Sequence, residues 1–123
     1  MIRLDDLEVY KIAMEIGGII WNTVSKWYPF DKDTLGKQLV RSADSMALNI
    51  AEGYGRFSYK ENKNFCYYAR GSAFETFTSL KKAFDRRLIT ENELIDFKAK
   101  FERFFKLLNP YIKSIGSTQP NDH

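Results

Sequence analysis

Histidine is almost missing from this chain: the only one is His123, near the end. A histidine-based catalytic dyad or a histidine-containing metal site within the fold is therefore not expected. Di-iron helical bundles need Glu-x-x-His pairs on facing helices, and none is present. Cysteine is equally scarce. Cys66 alone cannot form an internal disulfide, which suits a reducing compartment. With no histidine to activate its thiol, it reads as a buried, inert group. No apolar run approaches the ~20 residues that span a bilayer. The opening Met1-Ile2-Arg3-Leu4-Asp5-Asp6 lacks the basic-then-apolar layout of a signal peptide. Both absences point to the cytoplasm. Gly53-x-Gly55 lacks the remaining glycine of a dinucleotide fingerprint and follows no strand.

What is present is helical periodicity. The 123 residues are 44% hydrophobic, enough for one domain with a core. A first helix is predicted from about Asp6 to Lys26, with Leu7, Tyr10, Ala13, Gly17, Ile20, Val24 and Trp27 at steps of three and four. Gly17-Gly18 marks a close helix approach or a bend. Trp27-Tyr28-Pro29-Phe30-Asp31 reads as a loop whose aromatics cover one end of the fold. A second helix starts near Asp33 or Thr34 and runs to about Tyr54, on a stripe of Leu35, Leu39, Met46 and Ile50. Ala43, Ala47 and Ala51 beside that stripe let a neighbour come close. The third helix runs from Tyr59 to about Arg87, with Asn62, Phe65, Ala69, Ser72, Thr76, Leu80 and Ala83 inward. The fourth, opened by a Thr90–Glu93 capping box, carries Leu94, Phe97, Phe101, Phe104, Leu108, Tyr111 and Ile115 as one seam. Pro110 within it predicts a kink.

Between the second and third helices stands Asn49-Ile50-Ala51-Glu52-Gly53-Tyr54-Gly55-Arg56. Its glycines suit a helix stop, through backbone angles closed to other residues. Ser58 and Glu61 have the spacing of a second capping box. Short connections make neighbours antiparallel. The expected fold is all-α, an up-down-up-down four-helix bundle over residues 1–116, with a mobile tail over 117–123.

Charge is unevenly placed. The net charge is +3; residues 1–31 carry −2, residues 32–87 carry +5 and residues 88–123 carry 0. The basic excess is a modest footprint of an anionic partner. On the third helix Lys60, Lys63, Tyr67, Arg70, Phe74 and Lys81 share an outward arc, with Arg56 just before it. Cations interleaved with aromatics can hold phosphates and stack on bases. The same composition fits an oligomer interface or a solvated face. On the second helix Arg41, Ser45, Leu48 and Glu52 form a row, with Gln38, Ser42 and Asn49 beside it. Arg41, Ser45, Asn49, Glu52, Ser72 and Glu75 are candidates for a hydrogen-bonded network that fixes helix register, or for a subunit or ligand contact. Glu52 and Glu75 are read as partners of arginine or of that network rather than as metal ligands. Phe74, Phe77, Phe105 and Ile112 lie off the inner stripes and point to self-association.

The segment from Asn49 to Arg56, read with Arg41, Ser45, Ser58, Glu61, Gly71, Ser72 and Glu75, resembles the four-helix-bundle proteins encoded in intervening sequences of bacterial 23S rRNA genes. The resemblance runs from Leu7-Glu8-Val9-Tyr10-Lys11 to about Ile115. Where that family often has a proline before an alanine-asparagine step, this chain has Met46-Ala47-Leu48-Asn49, which suits a regular helix. The resemblance implies a closed homopentamer. It also implies kinship with the accessory variability determinant of diversity-generating retroelements, a basic pentameric barrel that binds nucleic acid. The charge here is milder than in those relatives. The expected function is thus a non-enzymatic, oligomeric, nucleic-acid-associated protein, with RNA the favoured partner over DNA and no cofactor. The other reading is a structural adaptor that takes a protein partner on the outer face of the third helix.

Overall fold

A computed structural model describes residues 3–116. The expected mobile tail, and His123 with it, lies outside them. A 3-10 turn, Leu4–Asp6, leads into α1, Glu8–Ser25. A one-turn helix α2, Pro29–Asp31, passes through a π-helical turn, Lys32–Gly36, into α3, Lys37–Tyr54. Two more long helices follow, α4 at Tyr59–Asp85 and α5 at Glu91–Ser114. Among the described residues there is no strand.

Consecutive long helices are neighbours, and α5 returns to pack on α1 as well as α4. Their connections are far too short to run back along a helix, so each pair is antiparallel. The four long helices form the up-down-up-down bundle expected.

The stretch read as a loop is partly helical. Pro29 sits at the first helical position, where its missing N–H costs nothing and its fixed φ suits the helix. Thr34 then donates its hydroxyl to the Phe30 carbonyl at 2.7 Å. Tyr28 and Phe30 are exposed, so of the loop aromatics only Trp27 packs on the core. Gly36 permits this path: a β-carbon there would meet Val24 Cγ1 at 2.6 Å.

The core is a continuous cluster from all four long helices. α3 buries Leu39, Ala43, Met46 and Ile50 completely, and α5 buries Phe97, Phe101, Phe104, Leu108 and Ile112. On α1 the buried face centres on Val9, Ile12, Ile16 and Ile20. The row predicted from Tyr10 through Ala13 and Gly17 is its flank toward α3, because α1 packs on α5 as well. α5 continues through Pro110 for another turn, so the Lys106 carbonyl accepts no bond from residue 110.

Helix ends differ from expectation in two ways. Thr90 and Glu93 form both halves of a capping box, at 3.1 and 2.8 Å. At Ser58 only the hydroxyl half forms, with Glu61 N–H donating at 3.1 Å. No glycine has positive φ among the described residues. Gly55 closes α3 at an ordinary φ of −79°. The left-handed residue is instead Arg87, with φ 62°. It closes α4 as a Schellman motif, in which Leu88 N–H donates to the Ala83 carbonyl at 2.8 Å and Arg87 N–H to Phe84 at 2.9 Å.

Candidate nucleic-acid interface and polar seam

The small buried residues of α4, Cys66, Ala69, Ala73, Thr76 and Ala83, let α3 approach closely. Hydroxyls fill that contact. Ser45 Oγ and Ser72 Oγ are 2.9 Å apart. Asn49 Nδ2 donates to the Ser45 carbonyl at 2.9 Å and lies 2.8 Å from its hydroxyl. Thr76 Oγ1 is within reach of both Ser42 Oγ, at 2.8 Å, and the Ser72 carbonyl, at 2.7 Å. Of the six residues expected to form a network, the structure brings Ser45, Asn49 and Ser72 together and adds Ser42 and Thr76. Arg41, Glu52 and Glu75 stand outside it, on the exposed side. A seam of neutral hydroxyls and an amide carries no charge into the core, which avoids the large cost of burying one. Among the described residues no buried side-chain nitrogen or oxygen lacks a partner.

The outward arc of α4 forms as the sequence predicts, but its cations differ in availability. Arg56 is engaged: Nε lies 3.4 Å from Glu52 and Nη1 3.5 Å from Glu61, while its guanidinium covers Phe65 at 4.8 Å. Two carboxylates therefore offset its charge. The Arg70 guanidinium lies over the Tyr67 ring at 4.9 Å and donates to Asn109 Oδ1 at 3.3 Å, which ties it to α5. Lys81 lies over Phe77 at 5.6 Å. Lys60 is exposed and Lys63 half-buried, neither with an ion-pair or hydrogen-bond partner among the described residues. Tyr67 and Phe74 remain 45% and 60% exposed.

Three of the four apolar residues predicted to be unplaced do find places. Phe77 packs on Phe101 at 5.4 Å, Phe105 on Phe104 at 5.6 Å, and Ile112 is buried. Only Phe74 is exposed, with one face on Phe105 at 4.7 Å. A different apolar surface, not among the residues predicted from the sequence, is exposed instead. Met14, Trp21 and Leu48 are 53%, 61% and 66% exposed along the α1–α3 groove, whose floor includes Ala13, Gly17 and Ala47. Trp21 falls off the buried stripe of α1, and that offset is the signal that could have found it.

Three groups titrate away from their usual ranges. Burial pushes the Cys66 thiol up to about 11, so at neutral pH it is protonated and a poor nucleophile. Burial also raises Tyr111, against the hydrogen bond with Asn62 that lowers it; Cys66 and Tyr54 add to the rise. Asp44, beside Gly17, is raised by burial. Among the described residues no group of three His, Cys, Asp or Glu side chains is placed to hold a metal ion, and no helix is long and apolar enough to cross a membrane.

These features define an antiparallel four-helix bundle with a neutral polar seam and a basic, aromatic outer face. The chain belongs to the 23S rRNA-intervening sequence protein family, whose model matches residues 5–110. It is also similar in structure to a protein of unknown function from the S23 ribosomal protein family of Bacteroides thetaiotaomicron VPI-5482. That comparison has a TM-score of 0.76 at 24% identity, and covers 86% of this chain and 99% of the other. At that identity the likeness speaks for the fold. No curated protein matches the chain significantly.

Proposed function

We propose that this protein is a non-enzymatic, self-associating RNA-binding bundle that holds RNA electrostatically on the outer face of α4. The observation that carries the reading is the row Lys60, Lys63, Tyr67, Arg70 and Phe74, in which an arginine already lies over an exposed tyrosine. Cations hold phosphates without regard to sequence, and exposed aromatics accept unpaired bases. The +5 charge of residues 32–87 supports it. So does the family, whose name ties it to rRNA genes. Exposed Met14, Leu48 and Phe74 support self-association, since apolar groups of this size gain by leaving water. A homopentamer, the number the resemblance implies, would multiply a weak contact through repeated copies. The proposed setting is the cytoplasm, with no cofactor.

A second reading is favoured by the same exposed Tyr67 and Phe74: an adaptor that docks a protein on this face. Native mass measured with and without a structured RNA, at low and high salt, separates the two. RNA taken up at low salt and released at high salt is the expected result. An assembly indifferent to RNA favours the adaptor, and a monomer under every condition removes the ring.

A further inference from the structure

We propose that the cavity between the C-terminal half of α1 and the π-turn leading into α3 holds one unpaired nucleotide of an RNA strand, with Trp21 stacking the base and Lys32, Lys37 and Arg41 holding its phosphates. The inference rests on the RNA-binding reading for its ligand, but on a separate face for its place.

The cavity measures about 550 Å³, within the range of small-ligand sites. Val24, Gly36 and Val40 line its apolar part. Gly36 shapes it: the backbone presses so close to α1 that a β-carbon would stand 2.6 Å from Val24 Cγ1 and 3.1 Å from the Asp31 carbonyl. The wall contributed by Lys32, Asp33 and Gly36 is the π-helical turn itself, an irregularity that recurs at functional sites. Trp21 stands at the border with the neighbouring groove and is 61% exposed. An exposed indole is a good platform for a base, and for a cation.

The charge of the lining is what selects an anion. Lys32, Lys37 and Arg41 face one carboxylate, Asp33. None of the three side chains has an ion-pair or hydrogen-bond partner among the described residues, whereas Arg56, just before α4, and Arg70, on it, are both engaged. Beyond Trp21 the groove changes character, to Tyr10, Met14, Leu48 and the carboxyl of Asp44. Asp44 repels phosphate, so the strand is oriented with its phosphates toward Lys37 and Arg41.

The test uses the full chain carrying Trp27→Phe, which leaves Trp21 as the only indole. Ten-nucleotide oligouridine, labelled for anisotropy, is titrated at low salt while Trp21 emission is followed. The expected result is saturable quenching that tracks binding, with affinity falling about tenfold on adding Trp21→Ala and again on adding Lys37→Gln with Arg41→Gln. Binding by anisotropy with unchanged Trp21 emission, weakened by Lys60→Gln with Lys63→Gln instead, overturns the pocket and leaves RNA on α4. Trp21 emission that responds to protein dilution but not to RNA overturns it too, since a second copy then covers the site. No binding by any form overturns both the pocket and the RNA reading.

Discussion

Gly53 of α3 and Asn62 of α4 stand so close that a β-carbon at residue 53 would lie 2.7 Å from Asn62 Oδ1. It would also meet Phe65 Cβ at 2.9 Å and the Asn62 carbonyl at 3.0 Å. One of these is backbone, so no side-chain rotation relieves the clash. Asn62 in turn accepts from the Cys66 thiol at 3.8 Å and hydrogen-bonds Tyr111 of α5. Gly53→Ala is therefore expected to destabilise the bundle by about 1–3 kcal/mol, as overpacking does elsewhere. Urea unfolding measures it, and an unchanged midpoint would show that the helices can separate freely.

At Arg87 the opposite change is expected. Its φ of 62° costs an L-residue roughly 1 kcal/mol, and glycine adopts it without strain. Arg87→Gly should raise stability by about 0.5–1 kcal/mol at unchanged m-value, with the Schellman bonds intact. A loss of stability would mean that the arginine side chain contributes more than its backbone strain costs.

The hydroxyl seam should behave as a coupled unit. Ser45→Ala and Ser72→Ala each leave the other hydroxyl with one partner fewer, so each is expected to cost about 1 kcal/mol. The double variant should cost less than the sum, giving a coupling of about 0.5–1 kcal/mol in a double-mutant cycle. Strict additivity would show that the 2.9 Å contact contributes nothing of its own.

Alkaline pH should weaken the fold through Cys66. Its folded thiol is raised from the usual 9.0 to about 11 by burial, so above the lower value the unfolded chain releases a proton that the folded chain keeps. Stability is then full below about pH 9 and falls as pH rises toward about 11. Tyr111, also raised, acts in the same direction. Urea midpoints from pH 7 to 11 should decline, and Cys66→Ala should flatten the decline even if it lowers stability overall.

The helices were legible wherever one apolar face met one core. Phe97, Phe101, Phe104 and Leu108 keep the α5 seam at steps of three and four, and all are buried. On α1 the apolar periodicity points a fraction of a turn away from the centre of the buried face, because the two flanks of the helix serve two neighbours. The π-turn was not legible, since it depends on Gly36 meeting Val24 from another helix. Likewise Gly53 is glycine because α4 is close, a tertiary cause that a local stop signal imitates. Within the candidate sites, helical spacing puts Ser45 and Asn49 one turn apart on α3, whereas Ser72 meets Ser45 from α4, a tertiary contact that no spacing within one helix encodes. Arg41 shares their row spacing but lies on the solvent side, and sequence alone does not say which side of a row turns inward. Lys60, Lys63, Tyr67 and Arg70 fall on one face, and Glu52 pairs with Arg56 four residues on, in keeping with its reading as a partner of arginine; the second carboxylate on Arg56, Glu61, comes from the start of α4.

The helix pairs are unequally joined. α3 and α4 share the broadest contact and the hydroxyl seam, whereas α5 meets both of its neighbours, α4 and α1, over narrower ones, with the Lys100–Glu15 pair at 2.6 Å between α5 and α1. The bundle is in this respect a firm hairpin with a lighter clasp. Thermal fluctuations that open it should begin at the clasp, so amide protons of α5 and α1 exchange with solvent before those of α3 and α4. An opening of that kind would expose Phe97 and Ile16 while leaving the basic face of α4 supported by its strongest neighbour.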